Sequence, residues 1–309
     1  MTQTERRIVA VAGGSGFIGR AIVRRLAHDP DTAVRVLTRD PQRARARFSG
    51  AAPNVEFVAA DVTQGARLAE AVAGAAAIVN AAQFDNYPIE NRARGLTFER
   101  VDYGGTVKLI AAARAAGAER FIYISGAAAD ERSAIGAFRW KGRAERAIRE
   151  AGIEFTIFRP SLAYGPEDRV VNMIAKALRF APAMPVPGDG QQRLQPLLVD
   201  DLAACVALAA GGRGRDGVYE IGGPEVMTFD ALVRLVMEIT RRRRPIIPIP
   251  EAALRAAGRI AEMAPGALFS REAVDFLVAD NACDLSALRA EFPIALTPAR
   301  EGLKYLAPA

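Results

Sequence analysis

The chain has 309 residues, half hydrophobic and a quarter charged, with a formal net charge of +6 from 41 basic and 35 acidic side chains. That length suits one large α/β domain or a main domain with a smaller lobe, and the composition excludes a largely disordered chain. Two distant cysteines and one histidine exclude a disulfide framework, a multi-histidine metal centre and a Ser-His-Asp triad.

A first strand is expected over 7–13, so near the start that no signal or transit peptide fits ahead of it. Residues 17–29 set Ile18, Ile22, Val23 and Leu26 on one face and predict a helix, with His28 in a surface or capping position at its end. Strands over 33–39 and 54–61, a helix over 66–74 and a strand over 76–82 follow. A long helix is expected over 95–116, a fifth strand over 120–125, a helix from 137 to 151 closed by Gly152, and a sixth strand over 154–160. Near-continuous apolar strands alternating with helices mean a parallel sheet covered on both faces. Right-handed crossovers make it α/β and doubly wound, a Rossmann sheet.

After Pro160 the rhythm loosens. A Pro- and Gly-rich loop (181–192) precedes a short strand and a helix capped near Asp200 within 193–210. A strand is expected at 217–223, a helix at 228–240 with Thr228 as N-cap, a strand after the arginine run 241–244, and helices over 251–263 and 270–279. The chain therefore divides into a Rossmann core, 1–160, and a small C-terminal α/β lobe, 161–309, with segments returning to the core. No run of about 20 apolar residues occurs, so no membrane span is expected. Aromatics do not interleave with the basic residues, and nucleic-acid binding is not favoured. A cytoplasmic location is expected, with a peripheral place on the cytoplasmic face of the inner membrane as the variant.

The strongest motif is "AVAGGSGFIGRAIV". Gly13, Gly14, Gly16 and Gly19 fit a dinucleotide fingerprint between a strand and a helix. One glycine makes the turn, one lets the backbone approach a pyrophosphate, and one packs helix on strand; Ser15, Phe17 and Ile18 complete the cradle at the helix N-terminus. Where NAD-selective sites place an acid, this chain has Arg39, then Asp40, with Arg43 a turn later. An arginine fork suits a 2′-phosphate, so NADP(H) is favoured; Asp40 turned toward the ribose would give NAD(H). Asp61 and Val62 are placed to edge the adenine, and Asn80, Ala81 and Ala82 lie beside the cofactor ribose.

With "LTRDPQRA", "VNAA", "FERVDYGGTVKLIAAARAAGAERFIYISG", "KGRAERAIREAGIEFTIFRPSLAYGPEDR" and "LLVDDLA", the chain resembles the atypical extended short-chain dehydrogenase/reductase family over residues 7–250. Within it the likeness is to the group containing the nucleotide-binding accessory subunit of respiratory complex I and its bacterial relatives. The resemblance implies a catalytic serine at Ser125 and a lysine at Lys141, with Pro160, Ser161, Leu162 and Ala163 lining the nicotinamide. The family's proton-transferring tyrosine falls on Ala137, which cannot transfer a proton. An Ala137→Tyr change would restore the pair on one helix face. Tyr87 and Tyr164 are the candidate substitutes; Tyr123 reads as core. Phe84, Tyr87, Phe138, Tyr164 and Met173 are candidate pocket residues, and Phe138 and Trp140 a candidate apolar wall.

Three functions stay open. The first is an NADP(H)-holding accessory subunit of a complex I type assembly, with the arginine run 241–244 and the apolar face of 252–269 as a docking or membrane-facing edge. The second is an NADPH-dependent reductase or isomerase of a small apolar carbonyl or enone. The third is an NADPH-sensing regulator.

Overall fold

The computed structural model describes residues 6–48, 52–65, 67–262 and 270–308. Its main sheet has seven strands: β1 (Arg7–Ala12), β2 (Thr32–Thr38), β3 (Val55–Ala59), β4 (Ala75–Asn80), β5 (Arg120–Ile124), β6 (Glu154–Pro160) and β7 (Gly217–Ile221). All pairs are parallel, in the order β7-β6-β5-β4-β1-β2-β3. The chain moves from β1 to β3 in one direction and then places β4 on the other side of β1. The crevice at the carboxyl ends of β1 and β4 is therefore the topological switch point, where such sheets take ligands.

Helices α1 (Phe17–Ala27), α2 (Pro41–Ala46), α3 (Leu68–Val72), α4 (Gly105–Ala115) and α5 (Gly136–Arg149) connect the first six strands. Beyond β6 come α6 (Val170–Phe180), α7 (Val199–Ala210), α8 (Phe229–Ile239), α9 (Glu251–Ala261), α10 (Arg271–Val278), α11 (Ser286–Glu291) and α12 (Ala299–Gly302). The period-two alternation of β1 splits the core. Val9 and Val11 face a layer with Ile22 of α1 and Leu202 and Val206 of α7, while Ala10 and Ala12 face Leu68, Leu109 and Ile148.

Three expectations change. The strand foreseen in the lobe at 217–223 is β7, which joins the main sheet beside β6 in register Val218↔Ile157. The helix foreseen over 95–116 begins with a π-helical stretch, Glu99–Gly104, that runs directly into α4. The helix cap near Asp200 is absent: Leu198 is the N-cap of α7, and Asp201 instead accepts from Thr297, at 2.7 Å from its backbone N–H and 3.1 Å from its hydroxyl. Thr228 does cap α8, accepting from the Ala231 amide at 3.1 Å. His28 is exposed at the end of α1.

The lobe has its own core, in which Ile174 and Leu178 of α6 meet Leu232 and Val233 of α8. Three two-stranded pairs decorate it, among them Ile246–Ile249 parallel to Met184–Pro187. Of the stretch 252–269, residues 263–269 lie outside the described residues.

Candidate functional site

The turn after β1 is built from glycines with different duties. Gly13 adopts φ +74°, and a Cβ there would fall on the backbone of Ala81 and Ala82. A Cβ on Gly19 would overlap the Gly13 carbonyl, so helix and turn touch through it. Gly16 is different: a Cβ there would meet only the Gly13 carbonyl oxygen, at 3.2 Å. The fold thus crowds a side chain at 16 far less than at 13 or 19, and a bare backbone there suits close approach of a pyrophosphate. Gly16 is also the N-cap of α1, with no side-chain cap and no acid in the first turn, so the helix N-terminus is left for an external anion. Arg20 and Arg47 both donate to the Ser15 carbonyl, at 2.7 and 3.4 Å, and steady the turn from outside. Phe17 packs beside Gly165, and Ile18 packs on the core beneath the sheet.

The rest of the crevice is held by side chains. Asn80 is buried; its amide donates to Thr106 Oγ1 at 2.9 Å and its carbonyl accepts from the Ala82 amide at 3.1 Å. Ala81 donates its N–H to Ala12 at 3.0 Å, which fixes the β4 loop against the glycine turn. Asp61 accepts from the backbone and hydroxyl of Thr63, at 2.8 and 2.7 Å, and Val62 packs on Gly105. Arg39 is exposed at the end of β2, 3.5 Å from Asp85, an exposed pair of little intrinsic strength. Asp40 accepts from the Arg43 amide at 3.0 Å and caps α2, which leaves the Arg43 side chain exposed on that helix.

At the opposite end of the crevice, Ser125, Ala137 and Lys141 are all buried. Ser125 donates to Glu145 Oε1 at 2.6 Å. Glu145 is fully buried and accepts also from Arg159, at 2.9 and 2.6 Å, and from Arg149, at 2.8 Å. The serine hydroxyl is thus committed to a carboxylate neutralised by two guanidinium groups.

Lys141 donates to the Ile124 carbonyl at 3.3 Å, and its Nζ lies 3.3 Å from Asp102 Oδ1, off the hydrogen-bond direction. Asp102 sits on the π-helical stretch, where burial pushes its carboxyl up to about 6 against the pull of Lys141. The lysine Nζ also lies 5.8 Å from the Tyr87 ring centre and 5.5 Å from that of Tyr123. Both phenol oxygens are buried without a hydrogen-bond partner, and burial raises both pKa values, Asp102 adding to the effect.

Folding raises the Asp102 pKa from 3.8 to about 6, so the folded chain binds this proton more tightly than the unfolded one. Its contribution to stability is full below pH 3.8 and is lost as pH rises through about 6, at most about 3 kcal/mol. Asp102→Asn stays neutral like the protonated acid, so wild type should lose stability relative to it across that window, and the gap should stay level above it. A difference that is level throughout would mean that Lys141 keeps the carboxylate ionised.

Ala137 has no exposed surface and packs with Phe84, Leu96, Phe98 and Val101. Above this, the Tyr87 ring lies 5.2 Å from Phe84, 5.3 Å from Phe98 and 5.9 Å from Phe276 of α10, while Phe138 lies 5.3 Å from Phe276. Glu272, a turn earlier on α10, sets its carboxylate at the first turn of α5. Burial raises its pKa, and the Gly136 and Ala137 amides oppose that rise. The position of the family's tyrosine is thus roofed by aromatic rings, with a buried carboxylate beside the N-terminus of its helix.

Of the candidate pocket residues, Phe84, Tyr87 and Phe138 gather in this roof. Tyr164 does not: its strand turns it inward, fully buried in the lobe core with its hydroxyl against Gly302. Met173 is also apart, 64% exposed on α6. Trp140 packs on Tyr103 and under Arg143 rather than forming a wall with Phe138. The Ser161 hydroxyl donates to Asn281 at 2.6 Å, and the carbonyls of Pro160 and Leu162 accept from Ala127 and Leu197, at 3.0 and 2.9 Å. Ala163 pairs with Leu197. Asp102, Glu145, Glu272 and Phe276 escaped the sequence reading. Only Glu145 left a signal, four residues after Lys141 on the same helix face.

Comparison with known proteins agrees with this geometry. A family model described as NAD(P)H-binding matches residues 13–181, and one for the NAD dependent epimerase/dehydratase family matches residues 143–222. The mitochondrial NADH dehydrogenase [ubiquinone] 1 alpha subcomplex subunit 9 of Arabidopsis thaliana is 28% identical over 258 residues, covering 82% of this chain and 63% of that protein. The chain thus spans less than two thirds of that relative. A ceramide reductase of Caulobacter vibrioides is 33% identical over 205 residues, 66% of this chain and 61% of the relative. Among solved structures, that of gox2253 superposes with a TM-score of 0.76 at 25% identity, covering 97% of this chain and 96% of the other. The UDP-glucose 4-epimerase of Thermotoga maritima, with a TM-score of 0.74 at 20% identity over 96% of each chain, shares the fold.

Proposed function

The chain belongs to the NAD(P)H-binding family whose model spans residues 13–181, and from that membership we propose that it holds NADP(H) without turning it over, as an accessory subunit of a complex I type assembly. The observation that carries this reading is Ala137, a side chain without an acidic proton and without exposed surface. A bound nicotinamide would supply hydride transfer. The chain's own residues supply a cradle at Gly13–Gly19 and no free proton donor at the tyrosine position. Ser125 is spent on Glu145 and Lys141 is drawn to Asp102. Relatives named as subunits of the mitochondrial NADH dehydrogenase support the assembly role. A tagged chain expressed in its native host should co-migrate with a large NADH-oxidising membrane assembly; migration as a free chain under gentle extraction would count against it.

The preference for NADP(H) over NAD(H) is carried by Arg39, whose partner Asp85 is exposed and easily given up, while Asp40 is occupied as a cap. A charge-assisted pair with a 2′-phosphate is worth roughly 1.5–3 kcal/mol, about 10- to 150-fold in affinity. Arg39→Ala should weaken NADPH by that factor and NADH hardly at all, in a titration of each nucleotide. Equal loss for both would remove the assignment.

A second reading rests on Tyr87. Its buried hydroxyl has no partner and its ring lies 5.8 Å from Lys141 Nζ, which with the likeness to a ceramide reductase suits an NADPH-dependent reductase of an apolar carbonyl. Under that reading Tyr87→Phe abolishes turnover while NADPH affinity stays unchanged.

A further inference from the structure

The lobe carries a surface that nucleotide binding does not use. Phe180, the last residue of α6, is 71% exposed, and Met173, two turns earlier on the same helix, is 64% exposed. Lys176 and Arg179 lie between them, and the helix contains no acidic residue. The Arg179 guanidinium sits 5.2 Å from the Phe180 ring centre. α8 packs beside α6 and ends in the arginine run. Arg244 pins that run to the end of α6, donating Nε to the Ala181 carbonyl at 2.8 Å. Arg241, Arg242 and Arg243 are exposed, and among the described residues none of them, nor Arg179 or Lys176, forms an ion pair. The nearest acid along the chain, Glu238, is held by Arg300 at 2.6 Å.

The backbone of the run adds an independent mark. Arg241 adopts φ +52°, with its N–H bonded to the Glu238 carbonyl at 3.1 Å and the Arg242 N–H bonded to Met237 at 3.0 Å. This is a Schellman ending, whose left-handed position favours glycine. Folding alone would prefer glycine there.

We propose that this edge, Met173 and Phe180 ringed by Lys176, Arg179 and Arg241–Arg243, is a docking surface for an anionic lipid bilayer. The occupant is set by charge and shape. Five cations without counterions ask for many negative charges spread over a plane. An exposed ring and thioether beside them suit insertion to headgroup depth rather than a span. No helix among the described residues is long and apolar enough to cross a membrane. The apolar part of this edge is on α6, whose C-terminal end Arg244 ties to the arginine run. Nucleotide chemistry plays no part in this contact.

Sedimentation of the full chain with vesicles tests it. Phosphatidylcholine vesicles containing phosphatidylglycerol should carry the protein down at low salt, and pure phosphatidylcholine vesicles should not. High salt should weaken the binding. Each arginine lost should weaken it roughly five-fold, so replacing Arg241, Arg242 and Arg243 by alanine should cost on the order of 100-fold. Phe180→Ser should cost roughly ten-fold. Arg241→Gly keeps folding separate from binding: it should raise or hold the melting temperature while binding falls about five-fold. Equal binding to neutral vesicles, no binding to either kind, or an Arg241→Gly protein that binds as well as wild type would each overturn the proposal, the first pointing to apolar insertion without charge recognition and the second to a protein partner for this edge.

Discussion

Gly16→Val is expected to give a folded protein whose melting temperature no longer rises with NADPH. In the wild type, nucleotide at about 100 times its Kd adds roughly 2.7 kcal/mol of stability by linkage. For a chain of this size that is a rise of about 4 °C. At residue 16 the backbone is extended (φ −77°, ψ 177°), a conformation valine adopts without strain, and a Cβ meets only the Gly13 carbonyl. Its branches would extend into the path of the pyrophosphate. Gly19 is the control with the opposite signature. A side chain there strikes the Gly13 carbonyl, so Gly19→Val should lower the melting temperature with no nucleotide present. A full NADPH shift in Gly16→Val would mean that the nucleotide binds elsewhere.

The second large effect is at Ala137. Restoring the family's tyrosine looks, from spacing alone, like a repair, because residues 137 and 141 share a helix face. The structure gives the opposite expectation. Ala137 has no exposed surface beneath Phe84 and Phe98, and Glu272 of α10 lies against Gly136 at the first turn of α5. A phenol ring does not fit there without displacing these groups, and overpacking of this kind costs about 1–3 kcal/mol or more. Ala137→Tyr should lower the melting temperature by several degrees and gain no NADPH oxidation. A stable variant that turns over NADPH would show that the aromatic roof opens and that the lost tyrosine was the only thing missing.

The parts of the molecule that were legible in the sequence are those encoded locally. Strand, glycine turn and helix from Arg7 to Ala27 form one continuous signal, whereas the pairing of β4 with β1 is seen only in the structure. A return of some segment to the core was expected, but not which one, because "GVYEI" carries no trace of its partner, β6, some sixty residues earlier. Asp102 was invisible because it meets Lys141 across two helices separated by β5, a contact that spacing along one helix cannot report. The aromatic roof depends on Phe276, which reaches Tyr87 from the far end of the chain. Spacing within one helix cannot report such a contact. The fate of Ser125 was half legible: Glu145 stands one turn beyond Lys141, but the two arginines that make its burial tolerable come from α5 and β6 together.

The central claim is a nucleotide held and not used. Protein loaded with NADPH and freed of excess nucleotide, then mixed with a panel of ketones, aldehydes and enones including a ceramide-like ketone, tests it most directly. Oxidation of the bound NADPH is followed over many hours. The reduced nucleotide should persist, fully recoverable as NADPH, at a rate of loss no greater than that of the protein without carbonyl. Rapid oxidation by any member of the panel, abolished by Tyr87→Phe while NADPH binding remains, would contradict the account and make the chain a reductase.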